Sequence, residues 1–298
     1  MAIYSIKDLE KLTGIKAHTI RIWEQRYQIV MPKRTRTNIR YYDDNDLKYL
    51  LNVALLNKNG TKISKIAKMG EQEIAVKVAE LSEVSFENTT QLDALTISMI
   101  EMDEYKFDKI ISTNIDQLGF EKTMIEIINP FLEKLSVLWL TGSINPAQEH
   151  FISCLIRQKI IVAIDKVPFV TDSDAPKYLV FLPEGEINEL SLLFLTYLIR
   201  ERGNKVIYLG QNIPFMDLKA VYQVHKPEYI CTMISGSFSK EPVQSYIDNL
   251  SFHFPESHIL LSGYQVLAQP IKCPDNATVI RSFDHTIELL NQFAGVER

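Results

Sequence analysis

Apolar residues recur along the chain with three spacings in succession, and each predicts a different architecture. Near the N-terminus Ile6, Leu9 and Leu12 fall at helical intervals behind Ser5, which has the acid Asp8 three residues on, the pattern of a reciprocal helix cap. Gly14 ends that helix. A second is expected from near Lys16 through Tyr27, with Ile15, Ile20 and Trp23 facing the first. Two short helices joined by a glycine-containing turn predict a helix-turn-helix. Pro32 to Tyr42 is a basic turn closing into β-branched and aromatic residues, which suits a two-stranded wing. A further helix is expected from Asp43-Asp44, using Leu47, Leu50, Leu51 and Leu55.

Residues 82–92 are polar and hold no periodic core, so they read as part of a linker, 76–91. Residues 92–166 return to helical spacing in four stretches: around Leu95 to Met102, around Phe107 to Ile111, from Met124 to Leu138 with a possible kink at Pro130, and over 147–165. Four such helices predict a small bundle, 92–170. Beyond the polar stretch 171–176 the pattern changes to short apolar runs, 177–182, 206–209, 229–234, 258–261 and 278–280. Helical segments separate them, beginning near Phe215 and Glu241 and ending at Phe293. This alternation predicts a parallel, doubly wound α/β sheet of flavodoxin or Rossmann type over 176–298, which would bind ligands beyond the carboxyl ends of its strands. The whole therefore reads as a winged helix-turn-helix (1–75), a four-helix bundle and an α/β domain.

Composition narrows the function. The chain has 298 residues, 46% hydrophobic and 23% charged, ordinary for a globular protein. It lacks an uncharged apolar window long enough for a membrane span, and its first turns carry acids and no apolar signal core, so a cytoplasmic protein is expected. Cys154, Cys231 and Cys273 are too far apart and too few for a disulfide framework or zinc cluster, and each is expected as a small buried hydrophobe. Residues 1–42 hold nine bases and three acids, +6 against −5 for the whole chain, leaving the remainder about −11. A basic end on an acidic body fits a polyanion-binding domain joined to something else; a merely solvated basic face is the alternative. Nucleophile–base spacing, paired acids and a phosphate loop are missing, so no catalytic residues and no enzyme are expected. Of the six histidines only His150 has a motif context.

The run T-I-R-I-W-E-Q-R-Y, then P-x-R-T, then R-Y-Y-x-x-x-D-L resembles the DNA-binding domain of the mercury-resistance-regulator (MerR) family over residues 3–75. The resemblance implies an operator-binding winged helix that works on double-stranded DNA as a homodimer or higher oligomer. Lys16, Thr19, Arg21, Arg26 and Tyr27 would contact DNA from the recognition helix, and Lys33, Arg34, Arg36, Arg40 and Tyr41 from the wing. The usual metal-sensing cysteines are missing, as is a coiled-coil-length helix after residue 56, so dimerisation is expected to work differently here.

Nine residues separate Trp139 from Glu149-His150, across the turn Thr141 to Pro146. By themselves these are a core tryptophan and a helix cap. With the bundle and sheet behind a MerR-type domain, however, the chain resembles the light-responsive adenosylcobalamin-dependent repressors. In that family a Trp-x9-Glu-His motif caps the upper face of the corrinoid, and a Glu/Asp-x-His-x-x-Gly motif after the first strand supplies the lower cobalt ligand. Here the second motif reads Glu186-Ile187-Asn188-Glu189-Leu190-Ser191; Ser262-Gly263 stands for a Gly-Gly pair, and Ser235-Gly236-Ser237 for a Ser-x-Leu/Thr. An amide is a poor cobalt donor where an imidazole is a good one, and the added side chains narrow the channel for the nucleotide tail. The resemblance thus implies a cobalamin-type site whose His-ligated binding is lost. A corrinoid held through His150 or in a base-on form, an unrelated ligand, and a sheet kept only as an oligomerisation scaffold remain open. A corrinoid carrier for a methyltransferase predicts an intact ligand histidine and no basic helix-turn-helix, and fits neither.

Overall fold

The computed structural model describes residues 4–34, 40–84, 88–140, 144–235 and 242–293. They divide into two compact units, Met1–Leu155 and Ile156–Arg298.

The first unit begins with α1 (Ile6–Thr13), closed at its start by the expected Ser5–Asp8 capping box and at its end by Gly14 at φ 70°. Then come α2 (Ala17–Tyr27), the antiparallel wing strands β1 (Lys33–Arg34) and β2 (Arg40–Tyr41), and α3 (Asp44–Lys58). Asp43 and Asp46 form a second capping box at the start of α3. Tyr4 and Tyr42 exchange backbone hydrogen bonds of 2.8 and 2.9 Å, tying the chain's start to the end of the wing. The short α4 (Ile63–Ile66) and α5 (Glu71–Val84) follow.

The expected linker is largely helical: α5 runs to Val84 and α6 (Asn88–Glu101) begins four residues on. Ile74 and Val78, one helical turn apart, are buried, and this periodicity precedes the polar stretch that suggested a linker. Next are α7 (Glu104–Leu118), α8 (Phe120–Thr123), a π-helical turn over Met124–Ile128, α9 (Asn129–Leu140) and α10 (Pro146–Lys166). The π turn, where the Asn129 N–H reaches back to the Met124 carbonyl, lies just before Pro130. A proline has no N–H to offer the carbonyl four residues earlier, and the helix absorbs that loss by slipping register.

The second unit is a five-stranded parallel sheet of order β4-β3-β5-β6-β7. In chain order its elements are β3 (Lys177–Pro183), α11 (Leu190–Glu201), β4 (Lys205–Ile213), α12 (Phe215–His225), β5 (Tyr229–Met233), α13 (Val243–His253), β6 (His258–Ser262), α14 (Tyr264–Leu267), β7 (Ala277–Val279) and α15 (Phe283–Phe293). This is the doubly wound order whose direction reverses between β3 and β5. On one face Leu179, Phe181, Ile230, Ile259 and Leu261 pack against Leu218, Ile247, Leu250 and Phe254 of α12 and α13. On the other, Phe293 of α15 stacks on Tyr229 at 4.8 Å, and Phe194 of α11 meets Phe283 edge-on at 4.9 Å. With both faces covered, residues 178–183 of β3 are all buried, which is why they read as one apolar run. β4 runs past its expected end to Ile213, and its register against β3 shifts where Gly210 and Asn212 adopt positive φ, 84° and 60°.

Only one cysteine is the expected buried hydrophobe. Cys231 lies in the sheet, where burial pushes its thiol pKa up, whereas Cys154 and Cys273 are exposed. The Cys273 thiol donates instead to the Ala277 carbonyl at 3.0 Å. Among the described residues no helix is long and apolar enough to cross a membrane. No group of three or more His, Cys, Asp or Glu among them is arranged to hold a metal.

Candidate nucleic-acid interface and ligand-site loops

In α2 the apolar side chains Ile20 and Trp23 turn inward, leaving Arg21 and Arg26 exposed and Thr19 and Tyr27 half-buried. Lys16 offers no side-chain cap to this helix. Glu10 of α1 does so instead: its carboxylate accepts the Ala17 N–H at 3.2 Å and pairs with Lys16 at 3.2 Å. Those two contacts, the backbone bond foremost, lower the Glu10 pKa. A buried link fixes α2 against the wing, for the Tyr42 hydroxyl donates to Glu24, and both side chains are out of water. Burial and then the hydrogen bond to Glu24 drive the Tyr42 pKa far above its ordinary value. Neither Glu24 nor Tyr42 stands out in the sequence, because they lie 18 residues apart and only the fold brings them together.

In the wing, Arg34 lies directly opposite Arg40, and Lys33 opposite Tyr41. Both arginines are exposed, so the wing presents two cations on adjacent strands. Lys33 faces the other way chemically. It is ion-paired with Asp43 and, at 3.3 Å, with Asp46, so its charge serves the cap of α3; the bond to Asp43 raises its pKa. Arg36 lies outside the described residues. Three further bases, Lys62, Lys65 and Lys68, are exposed on and beside α4. Their three-residue spacing is legible in the sequence as one basic helical face.

Among the cap-like positions, Trp139 stands in the last turn of α9, with its side chain outside the described residues. Glu149 is half-buried near the start of α10, where it accepts a hydrogen bond from Ser153 at 3.0 Å. His150 beside it is exposed.

In the second unit the loop after β3 is tethered at three points. Glu186 is 5% exposed, and its carboxylate accepts the Ser235 N–H at 2.8 Å. Asn212, at the end of β4, accepts the Gly185 N–H through its side chain at 2.7 Å and donates its own N–H to the Glu186 carbonyl at 3.1 Å. Glu189 pairs with Arg157 at 2.6 Å and accepts the Tyr208 hydroxyl at 2.8 Å. Asn188, between two anchored acids, is exposed, as is Ser191 at the second position of α11. Across the sheet, Ser262 donates to the Ile280 carbonyl at 3.1 Å. Gly263 sits at φ 101°, and a Cβ there would come within 2.4 Å of the Ile234 carbonyl oxygen. The chain's own packing thus accounts for this glycine. Gly236 and Ser237 lie outside the described residues. The donor set after β3 does not fit a His-ligated corrinoid: residue 188 has no imidazole, and the neighbouring acid is already committed to a backbone N–H.

Residues 4–73 match the family model described as the MerR HTH family regulatory protein, and residues 91–163 match the B12 binding domain. The chain is 25% identical over 258 residues to the HTH-type transcriptional repressor CarH of Myxococcus xanthus, covering 85% of each. It is 23% identical over 246 residues to the repressor CarA of the same organism, covering 82% of this chain and 81% of that one. In fold it is similar to the monomethylamine corrinoid protein of Methanosarcina barkeri, with a TM-score of 0.56 and 11% identity over 70% of this chain and all of the other.

Proposed function

We infer that this chain, a MerR-type helix-turn-helix joined to a B12 binding domain, is a DNA-binding transcriptional regulator that acts as a repressor and has given up His-ligated corrinoid binding. The observation that carries the DNA half is the pair of exposed arginines facing each other in the wing, beside an α2 that shows Arg21 and Arg26 to solvent. A basic, solvent-facing surface of this kind suits a polyanion. The wing arginines hold phosphates, and Arg21, in the recognition helix, reads base edges in the major groove. One helix-turn-helix covers one half-site, so the working form on DNA is at least a homodimer on a repeated or palindromic operator.

Two substitutions separate these roles. Arg40→Ala weakens operator and random DNA alike and reduces the slope of log affinity against log salt by about one, as loss of a single phosphate contact requires. Arg21→Ala relaxes specificity and costs ~1–3 kcal/mol on the cognate site. Arg40→Ala with an unchanged salt slope but altered base preference refutes the assignment.

The corrinoid half rests on Asn188 and on the tethered loop around it. Wild-type protein mixed with excess adenosylcobalamin and then desalted should emerge without visible absorbance, and its DNA binding should be indifferent to light. Asn188→His alone restores little retention, while Asn188→His with Ser191→Gly and Ser262→Gly restores more. A second reading is favoured by one observation: the residues matching the B12 binding domain include Trp139, Glu149 and His150. Under it a corrinoid is held from the bundle side, with exposed His150 as the one protein nitrogen offered to cobalt. Stoichiometric visible absorbance on wild-type protein, lost in His150→Ala, establishes that reading and overturns the first.

A further inference from the structure

Helix α3 belongs to two cores at once. Every residue from Leu50 to Leu56 is buried, too many for a helix with one buried face. It packs against α1 within the winged helix and against α5 and α6 beyond it. Its partner α6 is enclosed almost as fully, with only Leu92 partly open between Thr90 and Ile100. Such a surface is not that of a domain swinging on a linker, which would keep a solvated polar face where the two bodies part.

Each end of this contact carries a carboxylate shared between the two sides. Asp93 on α6 binds Lys58 of α3 at 2.6 Å through one oxygen and Lys134 of α9 at 3.1 Å through the other. Glu101, eight residues on, binds Lys48 of α3 at 2.8 Å and Lys106 of α7 at 2.6 Å, again through separate oxygens. The two acids stand about 12 Å apart along one face of α6 at 1.5 Å rise per residue. Their side chains are 10% and 14% exposed, so each charge has little water to fall back on if a lysine leaves. In both cases one lysine comes from the DNA-binding side and one from the bundle, so each acid joins three helices.

We propose that Asp93 and Glu101 are positioning residues that pin the DNA-binding helices to the bundle through α6, so that the head turns only with the bundle. Arg21, Arg26 and Arg40 are exposed with both pins in place, so the clamp does not act by hiding the DNA-binding surface. It sets the direction in which that surface faces.

The test is a distance, read on the full chain independently of DNA or ligand. Spin labels are placed at exposed Lys7→Cys on α1 and Asp116→Cys on α7, in a background with Cys154→Ser and Cys273→Ser, and pulsed dipolar spectroscopy gives the distance distribution. The otherwise unaltered chain should show one narrow distance. Asp93→Asn with Glu101→Gln, which removes both charges at nearly constant shape, should broaden it about twofold or more while helix content is unchanged. If that variant fails to fold, Lys48→Gln with Lys58→Gln gives the same reading, because the acids then keep Lys134 and Lys106. A broad distribution before any pin is removed, or a distribution equally narrow after both are, overturns the proposal.

Discussion

The winged helix and the loop after β3 are both ordered by acids whose partners lie on other elements, yet they differ in what is left facing solvent. In the winged helix, Glu24 and Glu10 are used up internally, by Tyr42 and by the start of α2, and the side chains left outside are arginines suited to one class of ligand. After β3, Glu186 and Glu189 are used up in the same way, by Ser235, Tyr208 and Arg157, and the side chains left outside are Ile187, Asn188 and Ser191, which suit none in particular. A scaffold and the chemistry it displays are thus separately encoded, and one can persist without the other.

The comparison is tested most severely at Gly263. If the ends of β5 and β6 are locked by their own packing, Gly263→Ala must move the Ile234 backbone and adopt φ near 101°, at a cost of ~3 kcal/mol or more in urea denaturation. A cost below about 1 kcal/mol would mean that these loops yield easily and that the crevice adapts to a ligand. Next comes Tyr42→Phe, which leaves the buried Glu24 carboxylate without its donor and should destabilise the winged helix by ~1–3 kcal/mol. Adding Glu24→Gln should recover part of that loss. If it recovers none, the pair is not the link between α2 and the wing.

Smaller still is the cap of α3. Asp43→Ala should cost about 1 kcal/mol near neutral pH. Lys33 first, and then the Asp46 N–H, hold the Asp43 pKa below its ordinary 3.8, so its contribution is complete above that value and fades as the pH falls through the lower folded one. The difference between wild type and Asp43→Ala should therefore shrink in acid. Least of all is the effect of His258, whose ring meets Thr278 at 2.8 Å and whose pKa burial lowers from 6.5. The unfolded chain takes up that proton more readily, so stability of the sheet should decline as the pH drops below 6.5, and His258→Gln should flatten the decline. A sheet whose stability instead rises on acidification contradicts the assigned direction.

What the sequence determined alone was whatever depends on neighbours three or four residues apart, or on alternation. The capping box at Ser5, the glycine stop after α1, the buried Trp23, the short strands and their alternation with helices in a parallel sheet were legible because each is written in a local pattern. That residue 188 is an asparagine and offers no imidazole was legible too, whatever the fold. Tertiary structure alone decided that Lys33 serves a cap, that the supposed linker is helical and that two of three cysteines face solvent. It also decided that Asp93 and Glu101 join the DNA-binding helices to the bundle. These outcomes rest on which groups compete for a partner across 10 to 53 residues of chain, as in Lys33 with Asp43 and Lys48 with Glu101. A buried charge takes the best-placed partner in space, and no spacing along the chain specifies which one that is.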